Sequence, residues 1–467
     1  MKKIISALTL GAMVAGAAFA DVSIALNYRQ RANLLSHSWA SQNWTFSDEK
    51  GGDHIISGDA RTQILGLDAY SGNGTDNLSI GLSGDIVAFN AQLVTDQAKE
   101  NEIRSKSFNG NLNLGKLQAF AGVWADGKVN GAFRNKTDID AGNMEGMDFE
   151  FKKLGSAFGS SPAFFVDNIV QPVDGKGESY ALGAQYTLPG TKSFKWYAQA
   201  AYITNSTTEE KSHGKSNMLK GHSLTGLINF RVPVGTGEVV FKYGDYNKAD
   251  KDKNPLTAMA FGAYFMPVTI DNLTTSVGAS GAMVGGTFTD WNADLRLHYK
   301  AGKVSFSSFH SFSQIVANAD DCSYLGLSNK STKGLANYPT TSYDKDKDKW
   351  KDDIGVGKHG GTPISRDMIL TNNLMVRAKF NKSLAMYGFV ADMIGMGKNL
   401  GKDLKDYNGN DTTKPIIQLR TGLYGQVYCG SNSISMGVVY SMHDVTKTYT
   451  ESGYALLSVP VIFRVKM

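Results

Sequence analysis

The chain has 467 residues, 42% of them hydrophobic and 19% charged, and a formal net charge of +5. That balance is too weak to point to nucleic acid, and two cysteines in a chain of this length exclude a disulfide scaffold. A helical membrane protein needs about 20 consecutive apolar residues per span, and no such run follows the N-terminal segment; 51 glycines and 20 tyrosines against 10 prolines fit an all-β chain instead.

Lys2 and Lys3, the apolar stretch from Ile4 to Val14 and the small-x-small triplet Ala18-Phe19-Ala20 predict a secretory signal peptide over residues 1–20. No cysteine follows the cut, so a lipid anchor is not supported. From Asp21, the residues Val22, Ile24, Leu26 and Tyr28 alternate with Ser23, Ala25, Asn27 and Arg29. Period two marks a strand with one apolar and one polar face. The same alternation predicts strands over 58–70, 77–95, 107–114, 117–125, 178–187, 195–204, 222–232, 238–246, 256–265, 274–283, 290–299, 304–313, 368–380, 384–394, 416–428, 433–443 and 453–466. Within 77–95 the apolar phase switches across Ser83-Gly84-Asp85. A β-bulge shifts phase in that way, and keeping one strand here preserves the alternation of connections.

Short turns at Gly115-Lys116, Pro189-Gly190-Thr191, 233–237, 300–303, Asn381-Lys382-Ser383 and 429–432 alternate with longer polar excursions, the longest being 126–177 and 314–367. Residues 21–467 therefore read as a single transmembrane antiparallel up-and-down β-barrel of about 18 strands, within about 16–20. Its short turns face the periplasm and its long loops face outward, in a bacterial outer membrane. In 290–299, Trp291, Ala293, Leu295, Leu297 and Tyr299 alternate with Asn292, Asp294, Arg296 and His298. Charges on one face and aromatics at both ends of the other read as lumen against lipid. A soluble β-sandwich also alternates, but its strands usually run about five or six residues.

On this pattern the chain resembles bacterial outer-membrane β-barrel proteins and, in strand count, the substrate-selective porins of about 18 strands. The resemblance covers residues 21–467 and rests on alternation and connection lengths rather than on a motif. One feature departs from it: such barrels typically end on Phe or Trp, whereas this chain ends Phe463-Arg464-Val465-Lys466-Met467. The resemblance implies a passive pore for small hydrophilic solutes, embedded in outer-membrane lipid. Homotrimers are common among porins, but no interface is marked in the sequence.

The inward-facing charges are the candidate site. By phase, the basic pore-lining residues are Arg29, Arg231, Lys242, Arg296, His298, Arg377, Lys379 and Arg420, and the acidic ones Asp68, Asp294 and Asp392. Excess positive charge around narrow water in low-dielectric surroundings concentrates anions, which predicts a mild anion preference. Pairing of these arginines with an infolded acidic loop would instead leave the lumen near neutral. In the 126–177 loop, the apolar run from Pro162 to Val170, with Phe164, Phe165 and Asp167, suits burial against the inner wall as a constriction. A cap over the rim or a contact with a neighbouring subunit would bury it equally.

No metal, cofactor or catalytic residue is assigned. The acidic stretch from Asp344 to Asp353 has Lys349 where an EF-hand needs Gly and Gly355 where it needs the bidentate Glu. No His has Ser two residues later; His222-Ser223 and His310-Ser311 are adjacent, hence on opposite strand faces. Cys322 falls in an outer loop and Cys429 in a periplasmic turn, so no disulfide is expected between them. The competing function is a structural or adhesive barrel whose outer loops bind host or matrix ligands.

Overall fold

The computed structural model describes residues 21–38, 43–46, 76–83, 87–96, 102–124, 177–191, 194–207, 218–248, 256–284, 286–316, 343–344, 349–350, 367–398, 404–406, 408, 410–442, 444–448 and 455–466. Among the described residues every regular element is a strand. In chain order these are β1 (Asp21–Ser38), β2 (Asn43–Phe46), β3 (Asp76–Ser83), β4 (Val87–Asp96), β5 (Glu102–Leu114), β6 (Leu117–Trp124), β7 (Gly177–Thr187) and β8 (Lys195–Thr207). There follow β9 (Met218–Val232), β10 (Gly235–Lys248), β11 (Leu256–Pro267), β12 (Leu273–Val284), β13 (Thr287–Ala301), β14 (Val304–Ile315), β15 (Tyr343–Asp344) and β16 (Lys349–Trp350). The last are β17 (Met368–Lys379), β18 (Leu384–Met396), β19 (Leu404–Lys405), β20 (Asp411–Thr412), β21 (Ile416–Cys429), β22 (Asn432–Met442) and β23 (Ala455–Lys466).

Nineteen of them form one sheet, while β15–β16 and β19–β20 are separate two-stranded ladders. Each long strand is antiparallel to the next long strand in the chain. At the start, β1 pairs with β3 from Asp21↔Ser83 to Asn27↔Asn77. It also pairs with β23 from Asn27↔Lys466 to Ser38↔Leu456. The ladder order thus returns to the strand on which it began.

Most of the tight turns share one rim, the two-residue connection between Val284 and Thr287 lying at the other. Gly115, Gly302 and Gly430 each open a two-residue turn with positive φ, the requirement of a type II′ hairpin. Asp271 and Asn272, both at positive φ between the bridged Ile270 and Leu273, make the type I′ counterpart. Neighbouring turns are stitched together: Lys379 N donates to Lys303 O and Tyr428 N to Ser383 O, each at 2.8 Å. Beyond the opposite rim, the Asp406 carboxylate accepts the backbone N–H groups of Asn408 and Asn410 at 2.9 Å. The Asn410 bond in particular holds that carboxyl below the usual range.

The stretch 77–95 is a hairpin rather than a bulged strand. β3 and β4 pair from Asp76↔Thr95 to Ser83↔Ala88, so the phase switch at Ser83-Gly84-Asp85 is a change of strand. The expected strand over 58–70 lies outside the described residues, and β1 pairs with β3 directly, so no strand stands between them. The expected alternation of short and long connections fails at β12–β13, where Val284 and Thr287 pair across only two residues. A bulge occurs in β1 instead, where Leu34 and Leu35 stand against the single residue Val459 between Asn33↔Pro460 and Ser36↔Ser458. Pro460, which has no N–H to give the ladder, falls on the other side where β22–β23 pairing passes from Met436↔Val461 to Val439↔Ser458. Cys429 is a free, exposed thiol at the end of β21; Cys322 lies outside the described residues.

The polarity of the sheet is inverted relative to a soluble protein. On one face stand exposed large apolar residues from β7 through β22, among them Leu182 at 59%, Leu224, Phe261, Val277, Leu374 and Leu423 at 55% exposure. On the other, Gln185, Asn229 and Ser276 are each only 1% exposed and Arg296 3%. Soluble monomers rarely expose contiguous apolar patches above a few hundred Å². Aromatic residues mark both ends of the apolar face on β13. Tyr299 lies near the short-turn rim, and Trp291 packs on Phe312 at 5.4 Å near the other while donating to Gln314 Oε1 at 3.1 Å.

Part of the glycine content is explained by aromatic rings lying over cross-strand glycines. Phe389 faces Gly422 and Tyr424 faces Gly437. A Cβ on Gly422 would come within 2.6 Å of the Phe389 ring. One on Gly437 would meet Tyr424 Cβ and, at 2.6 Å, the Leu423 carbonyl oxygen. Gly425, on the apolar face, has no atom within 4 Å of a Cβ built there. Gly437→Val should therefore destabilise the folded protein by about 1–3 kcal/mol and Gly425→Val should not, as read by the urea dependence of the folded, heat-modifiable band in gels.

Candidate functional site on the inner face

Antiparallel partners share a sheet face, so the register gathers the polar side chains into rows. Thr274 pairs with His298 and Ser276 with Arg296 across β12 and β13, and His298 pairs with Ser307 of β14. His298 Nδ1 and Ser307 Oγ are 2.8 Å apart, both buried. Arg296, only 3% exposed, stands opposite Ser276 in this row of polar side chains.

The adjoining row is aromatic. Arg377, Tyr387 and Tyr424 are successive cross-strand partners on β17, β18 and β21. The Arg377 guanidinium lies 5.4 Å from the Tyr387 ring centre. Tyr387 in turn stacks on Tyr424 at 4.5 Å with only 3° between the planes, and Gly437 leaves room for the last ring. Hydrogen bonds fix the stack. Tyr428 donates to Gln426 Oε1 at 2.6 Å, so its oxygen accepts from the Tyr387 hydroxyl at 2.7 Å. That oxygen also takes a longer contact from Arg377 Nη2 at 3.5 Å. The arrangement holds fixed positive charge on a rigid polar wall. No group of three His, Cys, Asp or Glu suited to a metal occurs among the described residues.

The structure brings most of the expected charges onto this face. Arg296 and His298 are buried there, Arg377 is half-buried, and Arg231 and Lys379 are exposed at the short-turn rim. The register puts Arg29, Lys242, Asp294 and Arg420 at inner-face positions of their strands. Asp392 is the correction. It lies two residues from Val390 and so shares its face, and Val390 is 47% exposed on the apolar side. Strand β18 is apolar on both faces, with Tyr387 and Phe389 inward, so alternation cannot decide and the charge is a false guide. Asp68, Phe164, Phe165 and Asp167 lie outside the described residues. Sequence reasoning misses Tyr387, Tyr424, Tyr428 and Gln426. The one available signal is the run of tyrosines at matching positions of two consecutive strands.

No protein-family model and no curated protein matches the chain. Among solved structures, it is similar to OpdL of Pseudomonas aeruginosa, at 10% identity over 96% of this chain and 99% of that one, with a TM-score of 0.45. It is likewise similar to OpdO of the same organism, at 8% identity over 96% and 98% with a TM-score of 0.46. A third is a loop-deletion mutant of OmpT, an outer membrane protein of Vibrio cholerae, at 7% identity over 96% and 99% with a TM-score of 0.36. The fold stands on the pairing and polarity described above.

Because Tyr428 both donates and accepts, Tyr428→Phe leaves the fully buried Tyr387 hydroxyl without its acceptor. An orphaned buried hydroxyl costs about 1–3 kcal/mol. Urea unfolding in lipid vesicles should show a loss of that size, against little change for Tyr440→Phe, whose hydroxyl donates to the Met442 sulfur at 3.8 Å.

Proposed function

We propose that this chain is a pore of the bacterial outer membrane, passing small hydrophilic solutes by passive diffusion with a mild preference for anions. Its wall would be a closed barrel of the long strands, eighteen of the 19 in the main sheet once the four-residue β2 is set aside. The short turns face the periplasm, the long connections including 126–177 and 314–367 face outward, and residues 1–20 are removed as a signal peptide. The observation that carries the reading is the inverted polarity: a belt of exposed apolar side chains around an interior of buried Arg296, His298, Gln185 and Asn229. Lipid on one side and polar groups on the other is the arrangement of a membrane barrel. Return of the ladder to β1 supports it, since hydrocarbon cannot satisfy an open sheet edge.

The anion preference follows from the inner-face charges. With Asp392 on the outer face, Asp294 alone of the described acidic candidates opposes Arg29, Arg231, Lys242, Arg296, His298, Arg377, Lys379 and Arg420. Focused by low-dielectric walls, such an excess raises the local anion concentration. Among the described residues, Thr236, Asn229, Thr274 and His298 are buried inward side chains near the short turns, and the passage would be narrow there. The apolar run bearing Phe164, Phe165 and Asp167 is the candidate to narrow it further. Selection then comes from charge and width, with no chemical step.

Single-channel recording in a planar bilayer under a salt gradient tests this. Stable steps with a reversal potential toward the anion side are expected. The double variant Arg231→Gln, Lys379→Gln should lower the anion-to-cation permeability ratio roughly twofold, and Asp392→Asn should leave it unchanged. Folded protein without conductance would sink the pore and leave the adhesive barrel.

A further inference from the structure

Three polar side chains form a row within the apolar outer face. His310 of β14, Asn372 of β17 and Asp392 of β18 are direct partners across adjacent strands. His310 Nδ1 lies 2.8 Å from Asn372 Oδ1, and Asn372 Nδ2 donates to Asp392 Oδ2 at 2.9 Å. A carboxylate only accepts, so the amide turns its NH₂ to Asp392 and its oxygen to His310, and His310 Nδ1 carries the proton. The row runs in one direction, from an imidazole that donates to a carboxylate that accepts. All three side chains are half-buried. Along the strands, apolar residues stand beyond the row on both sides: Phe306 and Phe312, Leu374 and Leu370, Val390 and Ile394. Phe306, Leu374 and Val390 are among the exposed apolar residues, so the row is embedded in the belt rather than placed at its margin.

Charged groups on the lipid face of a barrel are destabilising in a depth-dependent way. We infer that the outer wall formed by β14, β17 and β18 is the contact surface for a second copy of this chain, related by a two-fold axis along the membrane normal. The inference rests on the membrane reading above. Two copies with the same orientation in a membrane can be related by such an axis, and a two-fold contact requires a self-complementary patch. Rotation about an axis near Asn372 brings His310 of one copy toward the partner's Asp392 and the reverse. With Nδ1 already donating to Asn372, a protonated His310 has its Nε2–H left to give to the partner's Asp392. Each row would supply the other with the charge that lipid cannot.

Cysteine cross-linking in native membranes tests this without disturbing the row. In a background of Cys322→Ser and Cys429→Ser, Leu374→Cys places a thiol on the exposed wall beside Asn372. Leu182→Cys places one on the distant β7 wall. A short bis-maleimide should convert most of the Leu374→Cys protein to a covalent dimer and almost none of the Leu182→Cys protein. The triple variant His310→Leu, Asn372→Leu, Asp392→Leu, added to Leu374→Cys, should lower the dimer yield at least tenfold while keeping the heat-modifiable folded band. No dimer from Leu374→Cys, with Leu182→Cys shielded from a water-soluble maleimide, overturns the interface and leaves the membrane reading standing. A cross-linked product of any other mass overturns the second copy as occupant. Labelling of Leu182→Cys by that water-soluble reagent would instead overturn the membrane reading itself.

Discussion

A sheet whose exposed face is apolar must satisfy its backbone within its own ladder, and that constraint organises the rest of this structure. In hydrocarbon an unpaired N–H or C=O costs several kcal/mol, and water is not there to replace the partner. The β1–β23 pairing is the contact that the proposed membrane reading most needs, since it joins the first described strand to the last. Once that ladder exists, alternation assigns every residue to one of two environments. Leu182 and Leu423 face outward, and Gln185 and Arg296 face inward. The short turns at one rim follow too, because tight hairpins are the most direct way to keep neighbours in register.

Inside the wall, polar groups take over the packing that apolar groups perform in a soluble core. The Arg377–Tyr387–Tyr424 stack buries large rings beside a guanidinium, and the Tyr387 hydroxyl ends on a partner, as the polar tips of buried aromatic rings usually do. Gly422 and Gly437 are part of the same design: a ring on one strand lies over the missing side chain on the next. The wall is thereby held by interlocking across strands as well as by the backbone ladder. Polar networks of this kind rigidify when every member is satisfied, and Tyr428 is the member on which three others converge.

Much of this is legible in the sequence, and the parts that are not have a common cause. Strand β13 can be read residue by residue, because Arg296 and His298 oppose Leu295 and Tyr299 without exception. Where both faces are apolar, as on β18, period two carries no direction and only the charge of Asp392 remains to place it, wrongly. The hairpin at Ser83-Gly84-Asp85 passes for a bulge because either device reverses the apolar phase, and only pairing between β3 and β4 separates them. The tyrosine stack depends on which residues of different strands share a register position. That information is set by turn lengths and ladder shifts, and no single strand holds it.

The bulge in β1 sits on the pairing that joins the first described strand to the last, with Asn27 opposite Lys466. Contacts so far apart in the chain carry the largest loop-closure entropy and form late and slowly. Until they form, β1 and β23 each present a bare edge able to pair with another chain. The order of events matters most here: every hairpin from β3 to β22 can assemble from local contacts, but the seam must wait for all of them. The register shift in β1 bends and twists that edge, which makes the unfinished seam a poorer template for aggregation.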